Sequence, residues 1–527
     1  MILVRNLRLS PEEKHDRLPL LAAKKLRIAP EKIKSSVLVK KSLDARKKEN
    51  IHYVCTVALE LEGEEKLLNK LKSSDVSRYV PVDYSIEKVT PSEIRPVVVG
   101  FGPAGMFAAL VLAKAGARPI VLERGRDAVS RRAAVEKLRK EGILDTECNV
   151  QFGEGGAGTF SDGKLNTGTK DSRISWVLSQ FAAHGAPENI VYDAKPHIGT
   201  DILVDVVQNI RQGIIDLGGE VRFGHRLEEL ELCDGRLAGV KVTGPDGVYS
   251  LPCSQLILAL GHSARDTVRT LFSQGLNMQR KAFSMGVRIE HLQKDIDLAQ
   301  YGRQREGLPA ADYSLSVHLP GGGSAYTFCM CPGGEVMAAA SEAGGVVTNG
   351  MSYSKRDGEN ANSALLVTLH PEDFPGEDVL AGMDWQRQIE KAAYNYNGGN
   401  YLAPAQLVGD FLSGRDSTGP GKVKPSYKPG VIWGDIHKVL PPLITDVLER
   451  ALPELGKKLR GFDDSEAVLT APETRSSSPV RMPRDESFVS NIAGVYPCGE
   501  GAGYAGGITS AAVDGMRCAE AVLREYR

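Results

Sequence analysis

In the first 83 residues, some stretches alternate apolar and polar residues, as strands do, and others repeat apolar residues at helical spacing. The predicted elements follow one another in the order βαββα. The predicted elements are strands over 2–9, 36–43 and 51–61, a helix that opens at Ser10, and a helix over 64–71. This order is typical of a ferredoxin-like α+β domain. We therefore predict a small domain over residues 1–83, followed by a proline-containing linker over 84–96.

A second pattern begins at Pro96, where β-formers lead through glycines into an apolar, Ala-rich helix. The turn reads Gly100-x-Gly102-x-x-Gly105, and the next apolar strand ends in Glu123, about 20 residues further on. This succession of a strand, a glycine turn, a helix, a second strand and an acidic residue predicts a binding site for a dinucleotide. We expect the helix N-terminus to hold a pyrophosphate and Glu123 to accept ribose hydroxyls. The alternative is a tight turn with an incidental surface glutamate.

The pattern changes again between about residues 271 and 484, where half-polar strands alternate with helices. Strands are predicted over 282–291, 324–337, 346–352 and 364–369, and helices over 385–394 and 440–452. This favours an antiparallel α+β substrate domain inserted into the nucleotide-binding fold, which would comprise residues 97–270 and 485–527. The Gly/Pro/Ser-rich stretch over 413–430 predicts a long loop, either a lid or a disordered excursion.

Charge sets the N-terminal domain apart from the rest of the chain. The 527 residues carry a net charge of −1, but residues 1–96 hold 20 Lys and Arg against 14 Asp and Glu, a balance of +6. A basic α+β module can dock on nucleic acid. Tyr53 is its only aromatic residue in a predicted strand, so no stacking platform is expected. A solvated accessory or docking domain is therefore the favoured interpretation.

Other bulk features point to an ordinary reducing compartment. The first residues lack an apolar signal sequence, and no run approaches 18 uninterrupted apolar residues. The eight cysteines show no disulfide-framework spacing. We expect a cytoplasmic protein with no membrane segment, and the oligomeric state stays open.

Two glycine-dense loops complete the candidate cofactor site. Residues 153–165 contain Thr159 and Ser161 as hydroxyl donors, and a backbone this rich in glycine can lie flat against a planar or phosphate ligand. Residues 499–508 follow a strand and lead into a helix, so Glu500 can accept hydrogen bonds from a polyol. The N-terminus of that helix can place N–H groups on an electron-rich carbonyl.

In this order the motifs resemble the glutathione-reductase-type FAD fold with a single dinucleotide fingerprint. More closely, they resemble bacterial FAD-dependent dehydrogenases of uncharacterised function. The matching stretches are 153–165, 261–267, 328–334, 473–481 and 499–508. The resemblance implies an α/β Rossmann-type FAD-binding domain and an FAD-dependent oxidoreductase that transfers hydride to or from an unidentified small molecule. Glu500 departs from the Asp that is common in the superfamily.

The resemblance also implies a set of cofactor-binding residues. These are Gly100, Gly102 and Gly105 at the pyrophosphate, Glu123 at the adenosine ribose, Leu227 at adenine, Gly155, Gly156, Thr159 and Ser161 along the flavin, Glu500 at the ribityl chain, and Gly507 and Ile508 near the flavin carbonyl. Pro103, Ala104, Arg124, Gly261, Gly499 and Gly506 belong to the same set.

The candidates for catalysis are Lys164, Arg288, Cys329, Cys331 and Arg475. Lys164 follows the flavin loop, and the alternative is a surface lysine. Cys329 and Cys331 stand two apart on a strand, so both thiols should face one side as a redox pair or as two buried small side chains. Arg288 is a catalytic or a structural residue. Arg475 would hold a substrate carboxylate or form a salt bridge.

The sequence lacks the motifs of a built-in electron donor for the flavin. It has no second glycine fingerprint and no Cys-x-x-x-x-Cys after the first unit, which argues against a disulfide reductase with its own pyridine-nucleotide domain. The flavin would be reduced by its substrate or by NAD(P)H bound without a Rossmann fingerprint. The alternatives are a flavin monooxygenase or halogenase, and an FAD-containing protein that docks on nucleic acid through its basic domain.

Overall fold

The computed structural model describes residues 1–71, 73–305, 307–396 and 398–526. Its N-terminal part contains β1 Ile2–Leu9, α1 Leu18–Leu26, β2 Ile33–Asp44, β3 His52–Leu61, α2 Glu64–Lys70 and β4 Val76–Arg78. The strands form an antiparallel sheet in the order β2-β3-β1-β4. The helix predicted to open at Ser10 begins at Leu18 instead. Before it lies a turn in which the Glu13 carboxylate accepts the Ser10 N–H at 3.0 Å.

The next part begins with the strand of the glycine turn. Its elements are β5 Val97–Val99, α3 Pro103–Ala115, β6 Ile120–Glu123, α4 Ala128–Glu141, α5 Arg173–Ala183, α6 Thr200–Asp216, β7 Glu220–Phe223, β8 Arg226–Cys233, β9 Arg236–Gly244, β10 Gly247–Pro252, β11 Leu256–Leu258 and α7 Arg265–Ser273. Strands β8, β9 and β10 form an antiparallel meander. The loop between α4 and α5 holds a short 3-10 turn at Gly156–Phe160.

The remaining elements complete the fold. They are β12 Gln279–Arg280, β13 Phe283–Leu292, α8 Gln293–Tyr301, β14 Ser316–His318, β15 Ser324–Cys331, β16 Gly334–Ala338, β17 Thr348–Ser352, β18 Asn360–Leu369, α9 Ala381–Tyr396, β19 Ala403–Leu407, α10 Val408–Phe411, β20 Val431–Trp433, α11 Pro442–Lys458, β21 Val468–Glu473, β22 Val480–Arg481, β23 Val495–Pro497 and α12 Ile508–Arg524.

A parallel sheet in the order β23-β11-β5-β6-β7 forms the nucleotide-binding unit. Its central strands are fully apolar and buried, as expected for strands covered on both faces. Helix α3 packs closely on α12, since a Cβ at Gly515 would lie only 2.0 Å from the Ala104 carbonyl oxygen. The small residues of α3 and α12 therefore let the beginning and the end of the nucleotide-binding unit pack against each other.

A second, mixed sheet runs in the order β14-β15-β18-β13-β21-β19-β20, antiparallel except for the parallel pair β19 and β20. Its core includes apolar residues of α9 and α11. The stretch over 413–430 is a long loop as predicted, but it is packed rather than disordered, with Val423 and Tyr427 buried. Among the helices of the described residues, none combines the length and hydropathy that a bilayer span requires.

Candidate cofactor and substrate site

A cavity of about 460 Å³ lies between the two sheets. One wall comes from the loops that follow β5, β6, β11 and β23 at the carboxyl ends of the parallel strands. The opposite wall comes from the ends of β15 and β21 and from Lys164, at the far end of the glycine-dense loop before α5. Ligands of open α/β sheets bind outside the carboxyl ends of the strands, so the cavity stands where a nucleotide is expected.

Glu123 ends β6 at one side of the cavity, and its side chain is buried. One carboxylate oxygen accepts the Phe101 N–H at 2.8 Å, and the other accepts the N–H groups of Gly125 and Gly153 at 2.8 and 2.9 Å. These bonds fix the carboxylate at the strand end. The oxygen that accepts only the Phe101 N–H keeps acceptor capacity for a further donor, such as a ribose hydroxyl.

The two glycine loops meet at the floor of the cavity. Gly100 has φ of +98°, and a Cβ there would lie 2.3 Å from the Ala259 carbonyl oxygen. A Cβ on Gly156 would approach the Gly102 Cα at 2.8 Å. Helix α3 starts at Pro103, directly after this floor, and its N-terminus opens on the cavity. Only glycine leaves room here for backbone to approach an anion.

The opposite end of the cavity is formed by Gly506, Gly507 and Ile508, where α12 begins. The first N–H groups of this helix have no carbonyl partner within the helix, and the dipole adds positive potential. Glu500 lies nearby, 3.8 Å from His262 Nε2. Burial raises the pKa of Glu500 to about 7, and Lys281 opposes the shift.

Lys164, Cys329 and Glu473 line the wall that faces the glycine turns. The Lys164 ammonium donates to the carbonyl of Met330. Burial raises the pKa of Glu473 to about 7, although Arg288 lowers it. Arg288 is fully buried behind this wall, and its Nη1 lies 3.1 and 3.2 Å from the two Glu473 oxygens. The structure thus assigns Arg288 an ion pair that holds Glu473 at the cavity.

Arg475 also lies at the cavity wall, but its charge is already paired. Its guanidinium donates twice to Glu390, at 2.7 and 3.0 Å, and Arg265 donates to the same carboxylate at 2.8 and 2.9 Å. All three side chains are almost fully buried. Of the two roles open from the sequence, the structure therefore shows the salt bridge. Both arginines lower the pKa of Glu390 far below its ordinary value, against the effect of burial.

Most of the predicted cofactor residues lie in the cavity wall. They are Gly100, Gly102, Pro103, Ala104, Glu123, Arg124, Gly156, Ser161, Leu227, Gly261, Glu500, Gly506, Gly507 and Ile508. The sequence pattern found these residues because strand ends, glycine turns and helix starts are local features. Their individual roles in binding stay predictions.

Other predicted residues lie behind the wall. A Cβ at Gly105 would stand 1.9 Å from the Gly100 carbonyl oxygen, so this glycine serves helix packing. Gly155 packs on Thr159, whose hydroxyl donates to the Glu154 carbonyl at 3.2 Å. The Thr159 hydroxyl is therefore engaged inside the loop, and its contact with the flavin stays a prediction. Gly499 lets its turn approach Ala104.

Sequence reasoning missed Glu473 as a site residue, although a signal was present. Glu473 ends an apolar strand, as Glu123 does. Further cavity residues without a sequence signal are Gln151, Phe152, His225, Tyr313, Asn349 and Arg356. These side chains reach the cavity from loops and strands far apart in the chain, so no local pattern marks them.

Comparisons with known proteins agree with this geometry. Residues 282–476 match the family model "FAD-dependent protein, C-terminal domain-like", and residues 1–60 match a domain of unknown function, DUF8436. A protein of Clostridium beijerinckii described as uncharacterized is 47% identical over 533 residues, covering 100% of this chain and 99% of that protein. A 12-dehydrotetracycline 5-monooxygenase/anhydrotetracycline 6-monooxygenase of Streptomyces rimosus is 31% identical over 178 residues, 33% of this chain and 32% of that enzyme.

Solved structures resemble the chain more distantly. A triple mutant of the flavin-dependent brominase Bmp2 has a TM-score of 0.38 and 12% identity over 82% of this chain and 81% of that one. A geranylgeranyl bacteriochlorophyll reductase-like protein of Thermoplasma acidophilum has a TM-score of 0.36 and 13% identity over 82% and 79%. Similarity at this level supports no conclusion about activity.

The fold, the cavity and the family model define an FAD-dependent protein. The chain belongs to the family of the Clostridium beijerinckii protein, which it matches along its whole length. The residues present fit FAD: a fixed carboxylate at one end, a glycine floor that a Cβ would fill, and a helix N-terminus at the other. The glutathione-reductase-type subgroup stays a prediction.

Proposed function

We propose that the chain is an FAD-dependent oxidoreductase of the dehydrogenase type, which transfers a hydride between a small molecule and the flavin. One observation carries the proposal. The same cavity has glycine turns and helix N-termini on one wall, and Lys164, Cys329 and Glu473 on the other. When bound, FAD supplies the hydride-accepting ring. The second wall supplies the polar groups that substrate chemistry requires.

Glu473 is the proposed proton acceptor. A hydride leaves the carbon of an alcohol or of a protonated amine readily only when the O–H or ammonium proton is removed. A base with a pKa near the working pH serves this step best, and burial raises the pKa of Glu473 to about 7. Its ion pair with Arg288 fixes the carboxylate on the wall.

Lys164 and α12 are the proposed electrostatic contributors. The Lys164 ammonium is fixed at the wall by its bond to the Met330 carbonyl, so it favours a substrate with an anionic group. The N-terminus of α12 favours the negative charge that reaches FAD with the hydride. Both groups are in place before the reaction, so neither needs to reorganise.

An anaerobic reductant screen tests the proposal. FAD-loaded protein is mixed with NADH, NADPH and a panel of small hydroxy and amino acids, and loss of the visible flavin absorption is followed. We expect one class of compound to bleach the flavin. With Glu473→Gln the rate should fall by about 100-fold, the lower end of the effect of a general base. Protein that retains FAD but is bleached by none of these compounds would contradict the proposal.

A flavin monooxygenase is the second candidate, and one specific observation favours it. The chain is 31% identical over 178 residues to the Streptomyces rimosus monooxygenase, although it spans only about a third of that enzyme. This activity would couple rapid NAD(P)H oxidation to oxygen uptake. An oxygen electrode with NADH or NADPH distinguishes the two candidates, because a dehydrogenase shows neither rapid oxidation nor matching uptake in the absence of its substrate.

A further inference from the structure

Strand β15 breaks its regular pairing at the wall of the cavity. Phe328 stands opposite Ala364, and pairing resumes with Cys331 opposite Asn362. Three steps along β15 therefore match two along β18, which defines a β-bulge. The bulged Cys329 has φ of +41°, a conformation that residues other than glycine rarely adopt. Such strain persists only where the surroundings impose it, and it is found mainly at functional sites.

The bulge places two thiols together beside the cavity. Cys329 lines the cavity, and Cys331 is fully buried behind it. The Cys331 thiol donates to the Cys329 carbonyl at 3.2 Å, and the two thiols are close enough to shift each other's pKa. From the regular alternation of side chains along a strand, both thiols were expected on the same face of β15. The bulge breaks that alternation, yet the thiols remain neighbours.

Two cations hold the segment. Arg288 Nη2 donates to the Cys329 carbonyl at 2.8 Å and lies 3.5 Å from Cys331 Sγ. The Lys164 ammonium donates to the carbonyl of Met330, which lies between the two cysteines. The neighbouring Cys331 thiol, Arg288 and Lys164 lower the pKa of the Cys329 thiol, and burial opposes them. Burial raises the pKa of Cys331.

The two cysteines therefore differ in the way that a dithiol mechanism needs. The thiolate is the attacking species, and the cysteine that forms it more readily is the one exposed to the cavity. The partner behind it remains protonated at rest. This arrangement matches an attacking and a resolving thiol.

We infer that Cys329 and Cys331 form a redox-active pair that exchanges two electrons with FAD and with a small dithiol or disulfide substrate. The inference rests on the proposed function, since it takes FAD as the electron partner. In the oxidising direction the Cys331 S–H bond breaks and one Sγ–Sγ bond forms between the Cys329 thiolate and Cys331. The electron pair and the Cys331 proton would pass to FAD, so that no further proton is released. A dithiol substrate then reduces the disulfide by exchange and departs as its own disulfide.

Electron counting tests the inference. FAD-loaded, full-length protein is oxidised with diamide, freed of reagent and titrated anaerobically with dithionite. We expect the wild type to take up four electrons per FAD, because the flavin and the disulfide are each two-electron couples. Cys329→Ser and Cys331→Ser should each take up two. Cys233→Ser, at an exposed position outside the cavity, should take up four like the wild type.

Thiol labelling gives a readout independent of the flavin. When the wild type is denatured in the presence of N-ethylmaleimide, neither cysteine of the pair should be labelled before titration and both should be labelled afterwards, as read by mass spectrometry. Dithiothreitol should bleach the flavin of Cys329→Ser at least about tenfold more slowly than that of the wild type.

Three outcomes separate the hypotheses. Uptake of two electrons by the wild type, with both cysteines labelled in the oxidised protein, would overturn the inference and leave the proposed function standing. Equal bleaching rates for the wild type and Cys329→Ser would also overturn it. Wild-type protein that holds no FAD would refute the proposed function itself. If a variant loses FAD, its electron uptake cannot be compared with that of the wild type, and the N-ethylmaleimide labelling of the wild type then tests the inference.

Discussion

Gly102 and Gly105 stand three residues apart in one turn, but a side chain would meet different surroundings at the two positions. A Cβ on Gly102 would touch only the Gly156 Cα, at 3.6 Å, and would otherwise face the cavity. A Cβ on Gly105 would stand 1.9 Å from the Gly100 carbonyl oxygen. The first glycine therefore keeps room for a ligand, and the second keeps room for the helix.

Gly102→Val should leave the fold intact and abolish FAD retention, because its side chain enters the space of the pyrophosphate. Gly105→Val should destabilise the fold itself. Gly168→Val, at an exposed glycine with nothing within 4 Å, is the matched control and should behave like the wild type. The FAD-to-protein ratio after gel filtration and the thermal midpoint measure the two effects. Full FAD retention by Gly102→Val would contradict the assignment.

Glu473 should give the reaction its pH dependence. A base works in its ionised form, so the rate of flavin reduction should rise as pH passes through about 7, the pKa of Glu473, and level off above it. Glu473→Gln should be slow and lack this rise. Stopped-flow reduction from pH 5 to 9 measures both. Glu449→Gln, which alters a carboxylate paired with His437 away from the cavity, should keep the wild-type profile.

At the scale of elements, Arg265 and Arg475 both form ion pairs with Glu390. These ion pairs connect α7 and α9 with the segment after β21. Arg265 comes from α7, Glu390 from α9 and Arg475 from that segment. Removing one partner of a buried pair leaves uncompensated charge. Because the pKa of Glu390 is lowered in the folded state, its ionised carboxylate stabilises the fold at pH values above the ordinary pKa of a carboxylate. This stabilisation is lost as the pH falls from that value through the lowered pKa of Glu390.

Glu390→Gln should lower the free energy of unfolding by about 3–5 kcal/mol, because two guanidinium groups lose their buried carboxylate. Glu342→Gln is the matched control. That carboxylate pairs with Arg265 and Arg387 but is 27% exposed, so its loss should cost about 1 kcal/mol or less. Denaturant unfolding of the FAD-loaded protein measures both. Equal losses for the two variants would contradict the special role of Glu390.

The elements differ in how far the sequence could predict them. The turn at Gly100, the acid at Glu123 and the helix start at Ile508 were found because each is a local pattern of strand, glycine and helix. The ion pair of Arg288 with Glu473 joins residues 185 positions apart, so only the folded sheet reveals it. Thr159 turns inward and shares the buried Glu154 carbonyl with Arg131, a contact that composition does not show.

At the scale of the whole molecule, the basic N-terminal part is joined to the rest through its edge strand. The Lys41 N–H donates to the Tyr192 carbonyl, and the Ala194 N–H donates to the Lys41 carbonyl, both at 2.8 Å. Lys195, the next residue, lines the cavity. This contact favours an accessory domain that supports the cavity wall over a module that acts separately.

We therefore expect no nucleic-acid binding by the N-terminal part. Full-length protein should give no electrophoretic shift with RNA or DNA, even at low salt, where contacts to phosphate are strongest. A shift at low salt that disappears as salt is raised and is lost on reversing the charge of Lys32, Lys66 and Lys70 would contradict this expectation. These lysines border a shallow groove of that domain, away from the cavity.

The central claim is that the cavity between the two sheets holds FAD. The direct measurement is the absorption spectrum of the purified full-length protein, with identification and quantitation of the flavin released on denaturation. We expect a yellow protein that releases FAD at about one per chain. A colourless protein that cannot be reconstituted with added FAD would contradict it.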